Sequence, residues 1–282
     1  MLIQVLNGLQ FAMLLFLLSA GLSVIFGLMN FVNLAHGTLY MLGAYIGLTV
    51  MRATQSFWLA LIAASIGTAL VGLALYKLLF ERLQAARPVR QVLLTFGIIF
   101  IGLDGVRFIW GNDSHSIERP ALFAGTISIF GEPYPVYRLL IIATGLLVFL
   151  ALYVGLERTR IGAMVRASVD HPDAARCMGI DTQWLFTGVF ALGCLLAGFA
   201  GIIAAPVLSV YPGMEMQVLV LTLVIVVIGG PGSLTGAALG SVLIGLADTF
   251  GRVFMPGFAA FLMYALVALF LLVRPRGLLP IK

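Results

Sequence analysis

The sequence predicts an all-α polytopic membrane protein with about eight to nine transmembrane helices and one or two broken or re-entrant segments. Three observations carry that expectation. Of 282 residues, 62% are hydrophobic and only 10% are charged, whereas a soluble domain carries about 25% charged residues; an ordinary soluble fold is excluded. Residues 1–51 contain no Lys, Arg, Asp or Glu, and the first acid is Glu81. Runs such as Leu139–Tyr153 and Phe258–Val273 are apolar all round, unlike the alternating segments of about ten residues found in a membrane β-barrel. The formal charge of +5 is scattered along the chain, which argues against a nucleic-acid-binding face.

A helix needs about 20 residues to cross a bilayer, and the hydrophobic runs fit that length. They lie near 5–28, 31–51, 57–80, 91–110, 137–156, 184–209, 216–230, 236–250 and 257–273. The first run follows no basic n-region and no early small-residue cleavage site, so it is expected to stay as an anchor. Basic residues gather in three places: Lys77, Arg82, Arg87 and Arg90; Arg158, Arg160, Arg166 and Arg176; and Arg274, Arg276 and Lys282. The positive-inside rule makes all three regions cytoplasmic. Two runs separate the first pair of regions and four the second pair, so these assignments agree. The loop from Gly111 to Val136 is then external. Three full spans before Lys77 put the N-terminus outside, whereas a broken segment among them would put it inside.

Two segments are too polar or too interrupted for plain spans. Residues 27–45 read GLMNFVNLAHGTLYMLGAY and place Asn30, Asn33, His36 and Thr38 in an apolar zone. Irregular backbone at membrane depth survives only where it is buried in protein or lines a wet cavity, so these four are candidates for a substrate pathway, with a kinked helix as the plainer alternative. Residues 229–240 read GGPGSLTGAALG, and Gly229, Gly230, Pro231, Gly232 and Ser233 interrupt any helix there. That stretch is either a broken helix on the transport path or a short turn between two spans. Small residues recur at every fourth position in Ser19, Ser23 and Gly27, in Gly193, Ala197 and Gly201, and in Ala237, Ser241 and Gly245, a spacing that lets helix backbones approach closely. Cys177 and Cys194 have no metal-ligand spacing and are expected to pack as small buried thiols.

Candidate chemistry is sparse. Asp104 precedes Arg107 by three residues and Asp248 precedes Arg252 by four, so each pair shares a helix face. They read as ion relays or, preferably, as self-neutralised pairs snorkelling at the outer ends of spans. No G-x-x-x-x-G-K-[ST] sequence occurs, so no ATPase site is expected in this chain. His36, His115 and His171 lie in a span, an external loop and a cytoplasmic loop, and build no catalytic or metal constellation. Neither enzymatic activity nor a cofactor is expected. The most specific stretch is 157–182, ERTRIGAMVRASVDHPDAARCMGIDT. Pro172 suits a first helical position, Asp173 a positive helix N-terminus and Gly179 a C′ stop, which predicts a short helix over Pro172–Met178 lying on the membrane surface, as a docking element would.

Residues 173–179, DAARCMG, resemble the EAA-x-x-x-G coupling motif of ABC importer permeases, with Asp in place of Glu. TRIGAMVRASVDHPDAARCMGID, GLMNFVNLAHGTLYMLGAY and VIGGPGSLTGAALGSVLIG resemble the branched-chain amino acid permease family of the LivH type, and the likeness runs essentially from end to end. It implies a single permease domain over 1–282, with 157–182 as its coupling loop and with Pro172, Asp173, Ala174, Ala175 and Gly179 facing an ATPase. The implied partners are a second permease (a relative or a second copy), two cytoplasmic ATPases that hydrolyse the ATP, and a periplasmic substrate-binding protein, all at a bacterial inner membrane. The implied cargo is a branched-chain or other hydrophobic amino acid. Urea, short amides, aromatic acids or sugars are alternatives within that class, and an ion-coupled secondary transporter is the alternative outside it.

Overall fold

The computed structural model describes residues 1–29, 31, 33–83, 88–129, 131–274 and 277–279. Asn30, Arg87, Arg276 and Lys282 lie outside these. The chain is a bundle built around its first helix. α1 (Leu2–Met29) carries no charged side chain, so every side of it can be buried, and 83% of its most apolar window is. α2 (His36–Thr54), α3 (Phe57–Leu75), α5 (Pro88–Trp110), α6 (Val136–Tyr153), α9 (Thr182–Ala204), α10 (Met214–Gly229), α11 (Leu234–Phe254) and α12 (Ala259–Val273) complete the membrane layer. A π-turn at Tyr76–Phe80 leads from α3 into the single turn α4 (Glu81–Leu83), and another at Val154–Arg158 extends α6. On the cytoplasmic side lie α7 (Arg160–Asp170) and α8 (Pro172–Cys177).

Among the described residues, six of these helices are long and apolar enough to cross a membrane. The other three membrane helices fall short for separate reasons: α2 is too polar, whereas α10 and α12 have 16 and 15 residues. α3, α5 and α6 turn apolar side chains such as Leu70, Ile101 and Leu147 outward. Lipid supplies the apolar surroundings that water would deny them.

In hydrocarbon, helices gain little from the hydrophobic effect and associate through close packing; the three small-residue stripes are the seams. Ser19 Oγ meets Ser241 Oγ at 3.3 Å between α1 and α11. A Cβ on Gly245 would lie 2.7 Å from Ala12 Cα on that seam, and one on Gly201 would run into the Tyr40 carbonyl between α9 and α2. Gly21 and Gly193 approach equally closely between α1 and α9. Cys194 is buried, with its Sγ against Gly72, whereas Cys177 is exposed on α8. The packing role expected of both thiols therefore holds for Cys194 only.

The external loop is more ordered than the sequence suggested. β1 (Thr126–Ile129) pairs antiparallel with β2 (Glu132–Pro135), with Ile127 opposite Tyr134, so the all-α membrane layer carries a small hairpin outside it. Arg138, at the external start of α6, donates to Asn7 Oδ1 at 2.5 Å. That contact places the N-terminus on the external side, as three passes before Lys77 require.

Candidate functional site

Two helices begin inside the bilayer. His36, the first residue of α2, places its ring Nε2 3.1 Å from the Leu18 carbonyl. Leu18 is eleven residues before the end of α1, about 16 Å in from its cytoplasmic end at 1.5 Å per residue. α10 starts beside it, since a Cβ on Gly37 would lie 2.8 Å from the Glu215 carbonyl. Both helices therefore present their N-terminal turns to the same interior region, where backbone N–H groups have no helical partner.

Glu215 answers part of that need. Its Oε2 accepts the N–H of Gly213 at 3.0 Å, a residue at φ +106 that only glycine adopts easily. The carboxyl also matches the positive end of the helix dipole. Glu215 is fully buried, and its Oε1 has no hydrogen-bond partner among the described residues. The same holds for both amide atoms of Asn33, Nδ1 of His36, Oγ1 of Thr38 and the Tyr45 hydroxyl. Buried polar groups are nearly always satisfied in proteins, so the open positions on Glu215, Asn33, His36 and Thr38, near the starts of α10 and α2, mark the region where a polar guest would be solvated, whereas Tyr45 lies nine residues into α2 against Trp110 and His115.

Of the residues expected there, Gly37 is what meets α10; the His36 ring turns onto α1 at Leu18 and Gly21, the Thr38 methyl faces Gly102 of α5, Asn33 is buried just before α2, and Asn30 lies outside the described residues. Asn33, His36 and Thr38 are buried rather than open to a channel. Glu215 is the member that sequence reasoning missed. It stands one residue ahead of the hydrophobic run read from 216, and fourteen uncharged residues follow it up to Gly229. Gly229 ends α10, Gly230 and Gly232 take φ +99 and +79, and Ser233 caps α11 by accepting the Gly236 N–H at 3.0 Å. The segment 229–233 is a tight turn at the cytoplasmic ends of two helices, not a break at mid-membrane. The tail closes over it, with the Leu278 N–H donating to the Ile228 carbonyl at 2.7 Å.

The second feature is the cytoplasmic pair α7–α8. Thr159 caps α7 by accepting the Gly162 N–H, and Val165 packs against Val24 of α1 and against Leu185 and Val189 of α9. α8 runs from Pro172 to Cys177, one residue shorter than the sequence predicts, with Asp173 in its first turn and Ala175 as its buried contact. Its end is a full Schellman motif: Gly179, at φ +82, donates to the Arg176 carbonyl at 2.9 Å, and Ile180 donates to the Ala175 carbonyl at 3.1 Å. Arg176 Nε reaches Thr182 Oγ1 at 3.0 Å, and Asp181 caps α9 through the N–H groups of Gln183 and Trp184. α8 is thereby fixed to the start of a membrane helix while Met178, beside Gly179, is exposed. Pro172, Asp173, Ala174 and Ala175 sit together on this one short element, and Gly179 ends it.

Residues 4–273 match the family described as branched-chain amino acid transport system / permease component. The chain is 27% identical over 293 residues to the high-affinity branched-chain amino acid transport system permease protein BraD of Pseudomonas aeruginosa, covering 98% of this chain and 94% of that one. It is 27% identical over 296 residues to the corresponding protein LivH of Escherichia coli, with the same coverage of 98% and 94%. The probable branched-chain amino acid transport permease protein LivH of Methanocaldococcus jannaschii is 27% identical over 244 residues, covering 84% of this chain and 76% of that one.

Proposed function

The chain belongs to the branched-chain amino acid transport system permease family, and from that membership we propose that it is the membrane-spanning subunit of an ATP-binding-cassette importer in a bacterial inner membrane. Its cargo is a branched-chain or other hydrophobic amino acid, delivered to the external face by a substrate-binding protein. Separate cytoplasmic ATPases supply the energy, in keeping with the lack of a G-x-x-x-x-G-K-[ST] sequence in this chain. A second permease chain completes the membrane part.

The observation that carries the reading is α8 in its setting. A six-residue helix tied at its C-terminal end to the start of α9, and seated on α1 and α9 through its neighbour α7, can pass a push from a cytoplasmic partner to the core of the bundle. Pro172, Asp173, Ala174, Ala175 and Gly179 make that contact. Asn33, His36 and Thr38, with Asn30 beside them in sequence, line the substrate path when the bundle opens. One observation favours an ion-coupled transporter instead, namely the buried carboxyl of Glu215, whose Oε1 has no partner among the described residues. Affinity purification from native membranes into nanodiscs separates the two. A second permease and an ATPase are expected to stay bound, and a lone chain that retains uptake would overturn the importer reading.

A further inference from the structure

On the far side of the first turn of α10 from the α2 junction, a cavity of about 570 Å³ opens between the mid-bilayer start of α10, the outer half of α11 and the external start of α12. That size lies within the roughly 300–1,000 Å³ usual for small-molecule sites. Its polar wall is Asp248 and Arg252 of α11, joined by Gln217 of α10, and its apolar wall includes Met216, Leu221 and Met263. Arg252 Nε donates to Asp248 Oδ2 at 2.7 Å and Nη2 donates to Oδ1 at 3.1 Å. The Asp248 side chain is 11% exposed and the Arg252 side chain 70%. The carboxylate is therefore held in the bundle, and the guanidinium is held by it in one orientation.

This geometry uses only one edge of the guanidinium. Arginine carries five N–H donors in a planar fork, and Asp248 takes the Nε–Nη2 edge. The Nη1–Nη2 edge is left, with the geometry that matches a second carboxylate in bidentate fashion. A lysine could not offer two such edges. The pair is neutral as a unit, so it places no net charge in the bilayer until an anion arrives. The Asp248 oxygens keep lone pairs beyond the two already used, and these suit an ammonium group. Gln217 Oε1 is taken by the Tyr211 hydroxyl at 3.0 Å, which leaves its amide N–H groups as further donors. A carboxylate beside an ammonium, joined to an aliphatic body, is what this combination of walls complements.

We propose that Arg252, oriented by Asp248, binds the carboxylate of the amino acid as it enters from the external face. The inference rests on the amino-acid importer reading and adds a binding residue to it. Because every amino acid carries the carboxylate, the step separates amino acids from urea, amides and sugars without ranking aliphatic side chains.

The test uses the assembled transporter, with its permease partner and ATPases, in nanodiscs. Saturation-transfer NMR is recorded with L-leucine, with 4-methylpentanoate, which keeps the carboxylate, and with L-leucinamide, which lacks it. Leucine and 4-methylpentanoate are expected to give signals that Arg252→Gln removes and Arg252→Lys weakens, whereas leucinamide gives little in any form. Met263→Trp fills the cavity and leaves the ion pair intact, so it should remove the same signals even if Arg252→Gln destabilises the bundle. Equal signals from leucine and leucinamide, or signals indifferent to both Arg252→Gln and Met263→Trp, would overturn the proposal. So would native mass spectrometry showing an anionic phospholipid that is lost with Arg252→Gln in place of leucine binding. Leucine uptake is measured in parallel. If the wild-type assembly takes up no amino acid, the importer reading fails; if it does and Arg252→Gln leaves the concentration dependence unchanged, only this inference fails.

Discussion

Gly179 is the residue on which α8 depends for its ending. A Cβ there would meet nothing within 4 Å, so space does not select glycine; its φ of +82 does. A non-glycine residue in that region costs about 1–3 kcal/mol, and a β-branched one is a genuine outlier. Gly179→Val should therefore re-aim the end of α8 and uncouple ATP hydrolysis from uptake while the chain still reaches the membrane. Asparagine tolerates left-handed backbone, so Gly179→Asn should stay coupled. Hydrolysis and uptake measured together in proteoliposomes check both, and a Val variant that transports at the wild-type rate would remove α8 from the mechanism. Asn33 and His36 act at the other end of the path. Neutral hydrogen-bonding groups pass a zwitterion without trapping it, because conduction needs binding weak enough to release. Asn33→Leu and His36→Leu should slow leucine, isoleucine and valine alike, by about three- to tenfold, or roughly 0.7–1.4 kcal/mol of barrier. A changed ranking among the three would put side-chain selectivity inside this chain.

At the scale of the element, the seam between α1 and α11 makes its own demand. Gly245 faces Ala12 with no room for a side chain, and overfilling a packed contact costs about 1–3 kcal/mol. Gly245→Leu should lower the thermal midpoint of the purified assembly, while Gly257→Leu, where a Cβ meets nothing, should not. Fluorescence-detected unfolding in detergent reads the difference. These seams were legible in the sequence because a four-residue repeat of small side chains translates directly into one helix face. α8 was legible for a related reason: proline, an acid and glycine at fixed offsets are local backbone requirements. What hydropathy could not reveal was depth. The run read as 31–51 becomes a helix only from His36, and α10 starts at mid-bilayer, because composition says how apolar a segment is and not where its neighbours place it. The same gap hid Glu215, whose backbone α2 approaches closely at Gly37. α7 escaped notice in a polar stretch, although Thr159 and Gly162 were available as a capping signal and Val165 as its buried residue.

At the scale of the whole molecule, the question is what energy moves the bundle. The two intramembrane acids visible in the sequence are both paired: Arg107 to Asp104 at 3.4 Å on the outer surface of α5, and Arg252 to Asp248 through two hydrogen bonds. Glu215 is the acid that an ion-coupled cycle would need. Its carboxyl also has a structural duty that a neutral amide can perform, since the Oε1 of a glutamine at 215 would still accept the Gly213 N–H. If partner ATPases drive the cycle, Glu215→Gln should keep ATP-dependent uptake within about threefold of wild type, a barrier change of roughly 0.7 kcal/mol. The assembly in liposomes should accumulate leucine with ATP and binding protein present, and should not do so with a proton or sodium gradient alone. Gradient-driven accumulation that Glu215→Gln abolishes would identify Glu215 as a coupling residue, and α8 would then need another purpose.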